Sequence, residues 1–168
     1  MDATKRVLLI AGGGTLGTYT AQELLSKGVC VDIICLEDHV SDDPRLRYIK
    51  EYVSMELLES LFAKHHYDGI VNFIHYKKIE DYKPYHELLI QNTDHLIFLS
   101  SYRVYANEMH PITEEAPRLT DVPLEEEFTR VETYALPKIQ GEDFFAERAR
   151  GRAVDHRASR HLLFQAPL

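Results

Sequence analysis

A tyrosine and a lysine near the end of the chain have the spacing of an acid–base pair. In the segment VETYALPKIQGEDF, three residues separate Tyr134 from Lys138. On a helix, side chains four positions apart share one face, where the lysine ammonium would favour the phenolate form of the tyrosine. A tyrosine held in this way can exchange a proton with a substrate hydroxyl group. The same spacing also fits an ordinary surface helix, so residues elsewhere must decide.

A second chemical motif is the glycine-rich segment AGGGTLG, which follows the apolar run at residues 6–11. Gly12, Gly14 and Gly17 fit the pattern G-x-G-x-x-G between a predicted strand and a predicted helix, and Thr15 and Leu16 complete the turn. Side chains at the glycine positions would block a diphosphate, and the helix amino terminus offers N–H groups and a positive dipole end. The motif predicts nucleotide binding, with a ligand-free turn as the alternative.

A carboxylate follows the second predicted strand, where a dinucleotide would place its adenosine ribose. Glu37 lies 20 residues after Gly17, and its side chain could accept both ribose hydroxyls and repel a 2′-phosphate. Asp38 is the second candidate for this role, and either residue could instead be a solvated charge. No Arg or Lys occurs between Lys27 and Arg45. The sequence therefore predicts NAD rather than NADP as the cofactor.

Alternating apolar and amphipathic segments would position these motifs. Strands are predicted at residues 6–11, 29–36, 47–53, 69–76 and 95–101, and helices at residues 15–27, 54–66 and 84–91. The first helix should place Leu16, Thr20 and Leu24 on one buried stripe with Ala21 and Leu25 beside it, and Ser54 should cap the second helix. This order predicts an α/β fold, a Rossmann-type doubly wound parallel sheet with helices on both faces, truncated after about five strands.

Three segments, in the right order, resemble the extended short-chain dehydrogenase/reductases, the NAD-dependent epimerase/dehydratase family. They are LLIAGGGTLG, FLSSYRVYA and YALPKIQGE, and the resemblance covers roughly residues 5 to 147. It implies that Ser101 is the catalytic serine, that Tyr134 is the catalytic tyrosine, and that Lys138 is its partner and also contacts the nicotinamide ribose. The implied activity is hydride transfer at a hydroxyl or keto carbon of a small-molecule substrate, with a nucleotide sugar as one candidate.

Four features depart from the family pattern. Ala11 stands where the family has its first glycine, and the segment between the fourth and fifth strands is short, which leaves a homodimer open. Tyr102 and Arg103 replace the Asp and Glu of sugar 4,6-dehydratases, which disfavours dehydration. The family's substrate-binding region has no counterpart. The second hypothesis is therefore a nucleotide-binding module without turnover, either regulatory or an inactive fragment.

Composition excludes several classes of function. The formal net charge of -8 argues against general binding to nucleic acid or to an anionic membrane. Cys30 and Cys35 lie in a strand-like run, as buried thiols in a reducing compartment would. The histidines show no metal-ligand spacing, so no metal site is predicted. The amino terminus lacks the pattern of a signal peptide, so we expect a cytoplasmic protein.

The end of the chain breaks the pattern of the rest. We predict a NAD(P)-binding Rossmann domain over residues 1–152 and an atypical, disordered tail over residues 153–168. Five arginines occur within residues 148–161, where the family has a sixth strand. Permissible codons for residues 154–168, read in a shifted frame, give a strand-like W-T-I-V-R-P. We hypothesise a frameshift near Ala153, with a genuine short member as the alternative, and the gene sequence tests it.

Overall fold

The computed structural model describes residues 4–107 and 110–153. Its strands are β1 (Arg6–Ile10), β2 (Cys30–Cys35), β3 (Leu46–Lys50), β4 (Gly69–Asn72) and β5 (Leu96–Phe98). Its α-helices are α1 (Thr15–Ser26), α2 (Met55–Phe62), α3 (Lys83–Gln91), α4 (Glu126–Val131) and α5 (Ala135–Ala153). The chain forms two compact units. The first comprises the residues up to Ile74 with Pro84–Leu99, and the second comprises His75–Lys83 with the described residues from Ser100 onward.

The first unit contains a five-stranded sheet in the order β3-β2-β1-β4-β5, and every pairing is parallel. The chain adds β2 and then β3 on one side of β1, and it then crosses back to add β4 and β5 on the other side. This is the doubly wound topology of the Rossmann type, so the predicted fold class is confirmed. Such sheets bind ligands where the winding reverses, outside the carboxyl ends of β1 and β4.

The central strand is covered on both faces. Leu8, Leu9 and Ile10 of β1 are consecutive and are each at most 1% exposed. Because successive side chains of a strand point to opposite faces, this continuous burial requires packing on both sides of the sheet. On one face, Leu9 belongs to a cluster with Ile33 of β2 and Ala21 of α1. The apolar run predicted this double burial.

Helix α1 forms as predicted, and Ala21, Leu24 and Leu25 pack on the core, but Leu16 does not. Gly17 and Ala21 are buried, whereas Leu16 is 52% exposed. The cause lies at Gly17, where a Cβ atom would be 2.0 Å from the backbone oxygen of Gly12. The helix docks on the preceding turn through this glycine, and the docking turns Leu16 outward. The predicted inward position of Leu16 is therefore wrong.

The remaining elements of the first unit follow the sequence with shorter strands. Ser54 caps α2 as predicted, because its Oγ accepts a hydrogen bond from the Leu57 N–H at 3.1 Å. Strands β3, β4 and β5 are shorter than the predicted runs. Residues such as Phe73 and Leu99 stay partly buried just beyond the strand ends, so apolar composition does not mark where pairing stops.

A buried charged cluster, which the sequence did not predict, ties three strands together. The Asp32 carboxylate on β2 accepts hydrogen bonds from Arg47 of β3 at 2.7 and 3.0 Å and from Arg6 of β1 at 3.1 Å. The Tyr67 hydroxyl donates to it at 2.7 Å. Burial raises the pKa of Asp32, but the Arg47 and Tyr67 hydrogen bonds and the arginine charges outweigh it and lower the pKa overall.

Aromatic packing organises the second unit. Tyr82 stacks on Phe145 with ring centroids 5.4 Å apart, and Phe144 meets both rings edge-on. Ala135 and Ile139 of α5 are also buried. These contacts fix the amino-terminal half of α5, the helix that carries the predicted lysine.

The end of the chain carries the predicted tail. Its residues from position 154 lie outside the described residues, so its boundary, its disorder and the frameshift remain predictions.

Among the residues that the structure describes, no helix is long and apolar enough to cross a membrane.

Candidate functional site

The turn between β1 and α1 has the backbone shape that the glycine motif requires. Ala11, at the family's first glycine position, has φ 57°, which is in the left-handed region. A residue with a Cβ atom in this region costs about 1 kcal/mol or more relative to glycine. The turn therefore holds Ala11 in a conformation that favours glycine, at a cost in strain.

The glycines of the motif have two different roles. A Cβ atom at Gly12 would lie 2.8 Å from Leu9 Cβ, and one at Gly17 would lie 2.0 Å from the Gly12 backbone oxygen. These two glycines therefore allow close packing. A Cβ atom at Gly14 would meet nothing within 4 Å. Gly14 therefore borders open space, where a ligand could approach the backbone.

The amino terminus of α1 is available to an anion. Gly14 is the N-cap and provides no side-chain hydrogen bond. The intrahelical bonds begin at Thr18, whose N–H donates to the Gly14 oxygen at 2.9 Å. The N–H groups of Thr15, Leu16 and Gly17 precede that bond, at the positive end of the helix dipole. This arrangement suits a diphosphate.

Glu37 lies against the same turn. A Cβ atom at Gly13 would be 2.3 Å from Glu37 Oε2, and the Leu36 N–H donates to that oxygen at 3.2 Å. A cavity of about 310 Å³ is lined by Ala11, Ile34, Cys35, Leu36, Glu37, Glu51, Tyr52, Val53 and Ile74. A largely apolar pocket with carboxylates in its wall has the chemistry to hold an adenosine.

Asp38, the second candidate for the ribose, forms an ion pair. Lys50 Nζ lies 2.5 Å from Asp38 Oδ1, and both side chains are exposed. The sequence argument that no base lies near this strand end is therefore wrong. Lys50 is distant in sequence, but the parallel register pairs it with Cys35, the last residue of β2. Asp38 compensates the Lys50 charge, which leaves Glu37 as the better candidate for the ribose.

In the second unit, a carboxylate holds Tyr134 at the start of α5. The helix begins at Ala135 and has Pro137 in its first turn, where proline is tolerated. Glu132 Oε1 accepts hydrogen bonds from the N–H groups of Tyr134 at 2.6 Å and Ala135 at 2.8 Å. Tyr134 is therefore fixed at the positive end of the helix dipole.

Two more side chains hold the Tyr134 ring, and neither was predicted to do so. The Arg103 guanidinium lies 5.2 Å from the ring centroid, and the His75 ring centroid lies 4.9 Å from it. Arg103 also forms an ion pair with Glu132 at 3.1 Å. These residues come from separate segments of the chain, so no sequence spacing could have connected them.

Ser101 is connected to the residues around the Tyr134 ring by a hydrogen bond with Arg103. Ser101 precedes the 3₁₀ turn Tyr102–Val104, and its Oγ accepts a hydrogen bond from the Arg103 N–H at 3.3 Å. The turn packs against α5. The structure therefore brings the predicted serine segment and the predicted tyrosine together, with Arg103 as the link.

Ser101 also lines a cavity of about 410 Å³ in the second unit. In the wall of this cavity, Glu142 accepts hydrogen bonds from the Ser100 hydroxyl and, at 2.8 Å, from Arg118. These bonds give Glu142 a structural role in the cavity wall.

Lys138, one helical turn after Tyr134, is 3% exposed. Burial lowers its pKa from 10.5 to about 8. Near neutral pH the ammonium form still dominates. A buried cation of this kind is unfavourable for stability, and such groups are concentrated at functional sites.

We therefore expect Lys138→Met to stabilise the chain. Since the folded-state pKa is depressed, the penalty applies fully below pH 8 and disappears as the pH rises to 10.5. At pH 7 the free energy of unfolding should rise by up to about 3 kcal/mol. Urea unfolding at pH 7 and at pH 10 measures it, with exposed Lys64→Met as the control. A gain that does not shrink at the higher pH would contradict burial of the charge as its cause.

The fold can be compared with solved structures, although no protein-family model and no curated protein matches the sequence. A UDP-glucose 4-epimerase from Bifidobacterium longum, in complex with NAD+ and UDP, superposes with a TM-score of 0.70 at 22% identity, covering 96% of this chain and 52% of that one. The Bordetella bronchiseptica enzyme WbmG, in complex with NAD, gives a TM-score of 0.63 at 19% identity, covering 87% of this chain and 50% of that one.

A third structure agrees with these two. The UDP-glucose 4-epimerase from Stenotrophomonas maltophila, with bound NAD and formylated UDP-arabinopyranose, gives a TM-score of 0.66 at 17% identity, covering 94% of this chain and 51% of that one. The present chain spans about half the length of these enzymes. At such identities the likeness shows the fold, and it is the fold that the resemblance to the extended short-chain dehydrogenase/reductases implied, so that resemblance is confirmed at the level of fold.

Proposed function

We propose that this chain is a NAD-binding domain of the extended short-chain dehydrogenase/reductase type that supports hydride transfer at a hydroxyl-bearing carbon. One observation carries the proposal. Tyr134 is fixed at the amino terminus of α5, one turn before the buried Lys138, in a chain with the fold of NAD-bound epimerases.

The residues present fit a dinucleotide. Open space at Gly14, the uncapped amino terminus of α1 and the Glu37 carboxylate match a diphosphate and a ribose. Thr15 and Leu16 would contribute backbone N–H groups to the diphosphate. Lys138 would hold the nicotinamide ribose. When bound, NAD supplies the hydride acceptor.

The chain's own residues would handle the proton. The deprotonated Tyr134 side chain would accept the proton of the substrate hydroxyl, and the Lys138 ammonium, one helical turn away, would balance the negative charge of its oxygen. Ser101 would donate a hydrogen bond to the same substrate oxygen. Arg103 and His75 hold the tyrosine ring in place for this exchange.

The substrate class we propose is a nucleotide sugar, because the similar enzymes are UDP-glucose 4-epimerases. The experiment mixes the chain with NAD and a panel of UDP-sugars and follows the absorbance of the reduced nicotinamide. Reduction with at least one sugar supports hydride transfer.

The second candidate function is a nucleotide-binding module without turnover. The observation in its favour is that the chain spans about half the length of the similar enzymes. NADH binding with no reduction on the whole panel would favour this module. A cytoplasmic location and a homodimer stay predictions beside either function.

We expect Glu37 and Asp38 to set the preference for NAD over NADP. Glu37→Ala removes hydrogen bonds to a charged acceptor and should weaken NADH binding by about tenfold or more. Asp38→Asn frees Lys50 from its ion pair and should strengthen NADPH binding relative to NADH. Titrations of both cofactors measure this preference, with exposed Asp42→Asn as the control. Equal binding of NADH and NADPH by the unmodified chain would contradict the assignment.

A further inference from the structure

A mixed group of metal-binding side chains lies at the end of β2, where the sequence predicted no metal site. Cys35, Glu37 and His39 each offer one ligand atom, and these atoms all lie within 4.8 Å of one another. The residues alternate along the chain, from the last residue of β2 into the bend that follows it. The signal in the sequence is therefore C-x-E-x-H, which differs from the helical and looped spacings of common metal motifs.

The donor set selects the class of metal. A thiolate and an imidazole favour zinc and related transition metals, while calcium and magnesium prefer oxygen ligands. Zinc accepts S, N and O ligands at about 2.0–2.3 Å in a tetrahedral arrangement. Its ligand atoms are then about 3.5 Å apart, so this group must tighten by about 1 Å to enclose the ion.

The side chains differ in freedom in a way that allows this tightening. Cys35 is 3% exposed and is fixed on the strand, whereas Glu37 and His39 are exposed. The His39 ring stacks on Tyr48 with centroids 4.9 Å apart, which limits its rotation. The fixed ligand is therefore the sulfur, and the two exposed ligands can move toward an ion placed beside it.

We propose that Cys35, Glu37 and His39 bind one zinc ion, with water as the fourth ligand, in a site that overlaps the cofactor pocket. On binding, the Cys35 thiol loses its proton to the solvent as the zinc–sulfur bond forms. Because Glu37 belongs to both sites, zinc and NADH should exclude each other.

The site can be tested directly by titrating tag-free, reduced protein with Co²⁺ and then displacing it with Zn²⁺. We expect one Co²⁺ per chain, a sulfur-to-cobalt charge-transfer band, and visible bands of four-coordinate cobalt, all removed by zinc. Losing even an outer partner of a metal ligand costs about 10- to 100-fold in affinity, so His39→Ala and Cys35→Ala should each cost at least about tenfold.

Matched controls are Cys30→Ser on the same strand and His66→Ala on the surface, which should bind zinc like the unmodified chain. His39 is exposed, so its variant should fold normally, and circular dichroism verifies this for every variant. A cobalt complex without the sulfur band, or equal binding by His39→Ala, would overturn the site.

The overlap with the cofactor pocket rests on the proposed function, and a second titration tests it. Zinc at saturation should reduce NADH affinity in the unmodified chain, and this effect should vanish in His39→Ala. NADH affinity that is unchanged by bound zinc would overturn the overlap. Failure of the zinc-free protein to bind NADH would instead count against the proposed function.

Discussion

Tyr134→Phe should lower turnover by about 100-fold or more, which is the usual contribution of a positioned acid or base, and should leave NADH affinity nearly unchanged. The ring packing between Arg103 and His75 survives the substitution, because both contacts involve the ring. Only the hydroxyl that we propose to exchange the proton is lost. The rate is measured with a UDP-sugar that reduces NAD in the proposed panel assay, and NADH binding is measured by fluorescence titration.

The control for Tyr134→Phe is Tyr19→Phe, which removes a hydroxyl from a side chain that is 67% exposed on α1. We expect this variant to retain full turnover. If Tyr134→Phe stays within about tenfold of the original rate, equivalent to about 1.4 kcal/mol of barrier, the acid–base role is wrong. A large loss of NADH affinity in the same variant would point instead to a binding role.

Asp32→Ala should lower the free energy of unfolding by about 3–5 kcal/mol, the usual cost of breaking a buried ion pair. The Asp32 carboxylate is fully buried and accepts hydrogen bonds from Arg6, Arg47 and Tyr67. Its removal leaves two guanidinium groups and a hydroxyl without this acceptor in the sheet. Urea unfolding at pH 7 measures the loss, and exposed Asp42→Ala should have little effect.

The pH dependence provides a second test of the Asp32 cluster. The folded-state pKa of Asp32 lies below the ordinary value of 3.8. Its stabilising contribution is therefore complete above that value and is lost as the pH falls below it. The difference between Asp32→Ala and the unmodified chain should be constant from pH 5 to pH 7 and should shrink at lower pH. A difference that grows in acid would contradict the assigned cause.

Most of the sheet could be predicted because β1, β4 and β5 lie in apolar runs, and such runs are typical of strands buried on both faces. The inward position of Leu16 could not be predicted. Helix periodicity defines the relative positions of side chains, whereas the contact of Gly17 with the Gly12 backbone sets the rotation of the helix. Asp32 was also missed, since one acid in an apolar run gives no sign of partners 15 or more residues away.

The candidate site also contains residues that the sequence could identify and residues that it could not. Local motifs identified the glycine turn, Tyr134 and Lys138, and the resemblance added Ser101. Sequence alone could not find Lys50 beside Asp38, because strand register brings them together. Nor could it find Arg103 and His75 on the Tyr134 ring, because they converge only in the folded chain.

NADH titration of the unmodified chain and of Gly14→Ala tests the central claim most directly. A Cβ atom at Gly14 meets nothing within 4 Å, so this variant should fold, with a small loss of stability because alanine is a poorer N-cap, while its methyl group occupies the space proposed for the diphosphate. Gly69→Ala on β4, where the nearest contact would be 3.6 Å, is the matched control. We predict that the unmodified chain and Gly69→Ala bind one NADH per chain and that Gly14→Ala loses this binding. No saturable NADH binding by the unmodified chain, or equal binding by Gly14→Ala, would contradict the account.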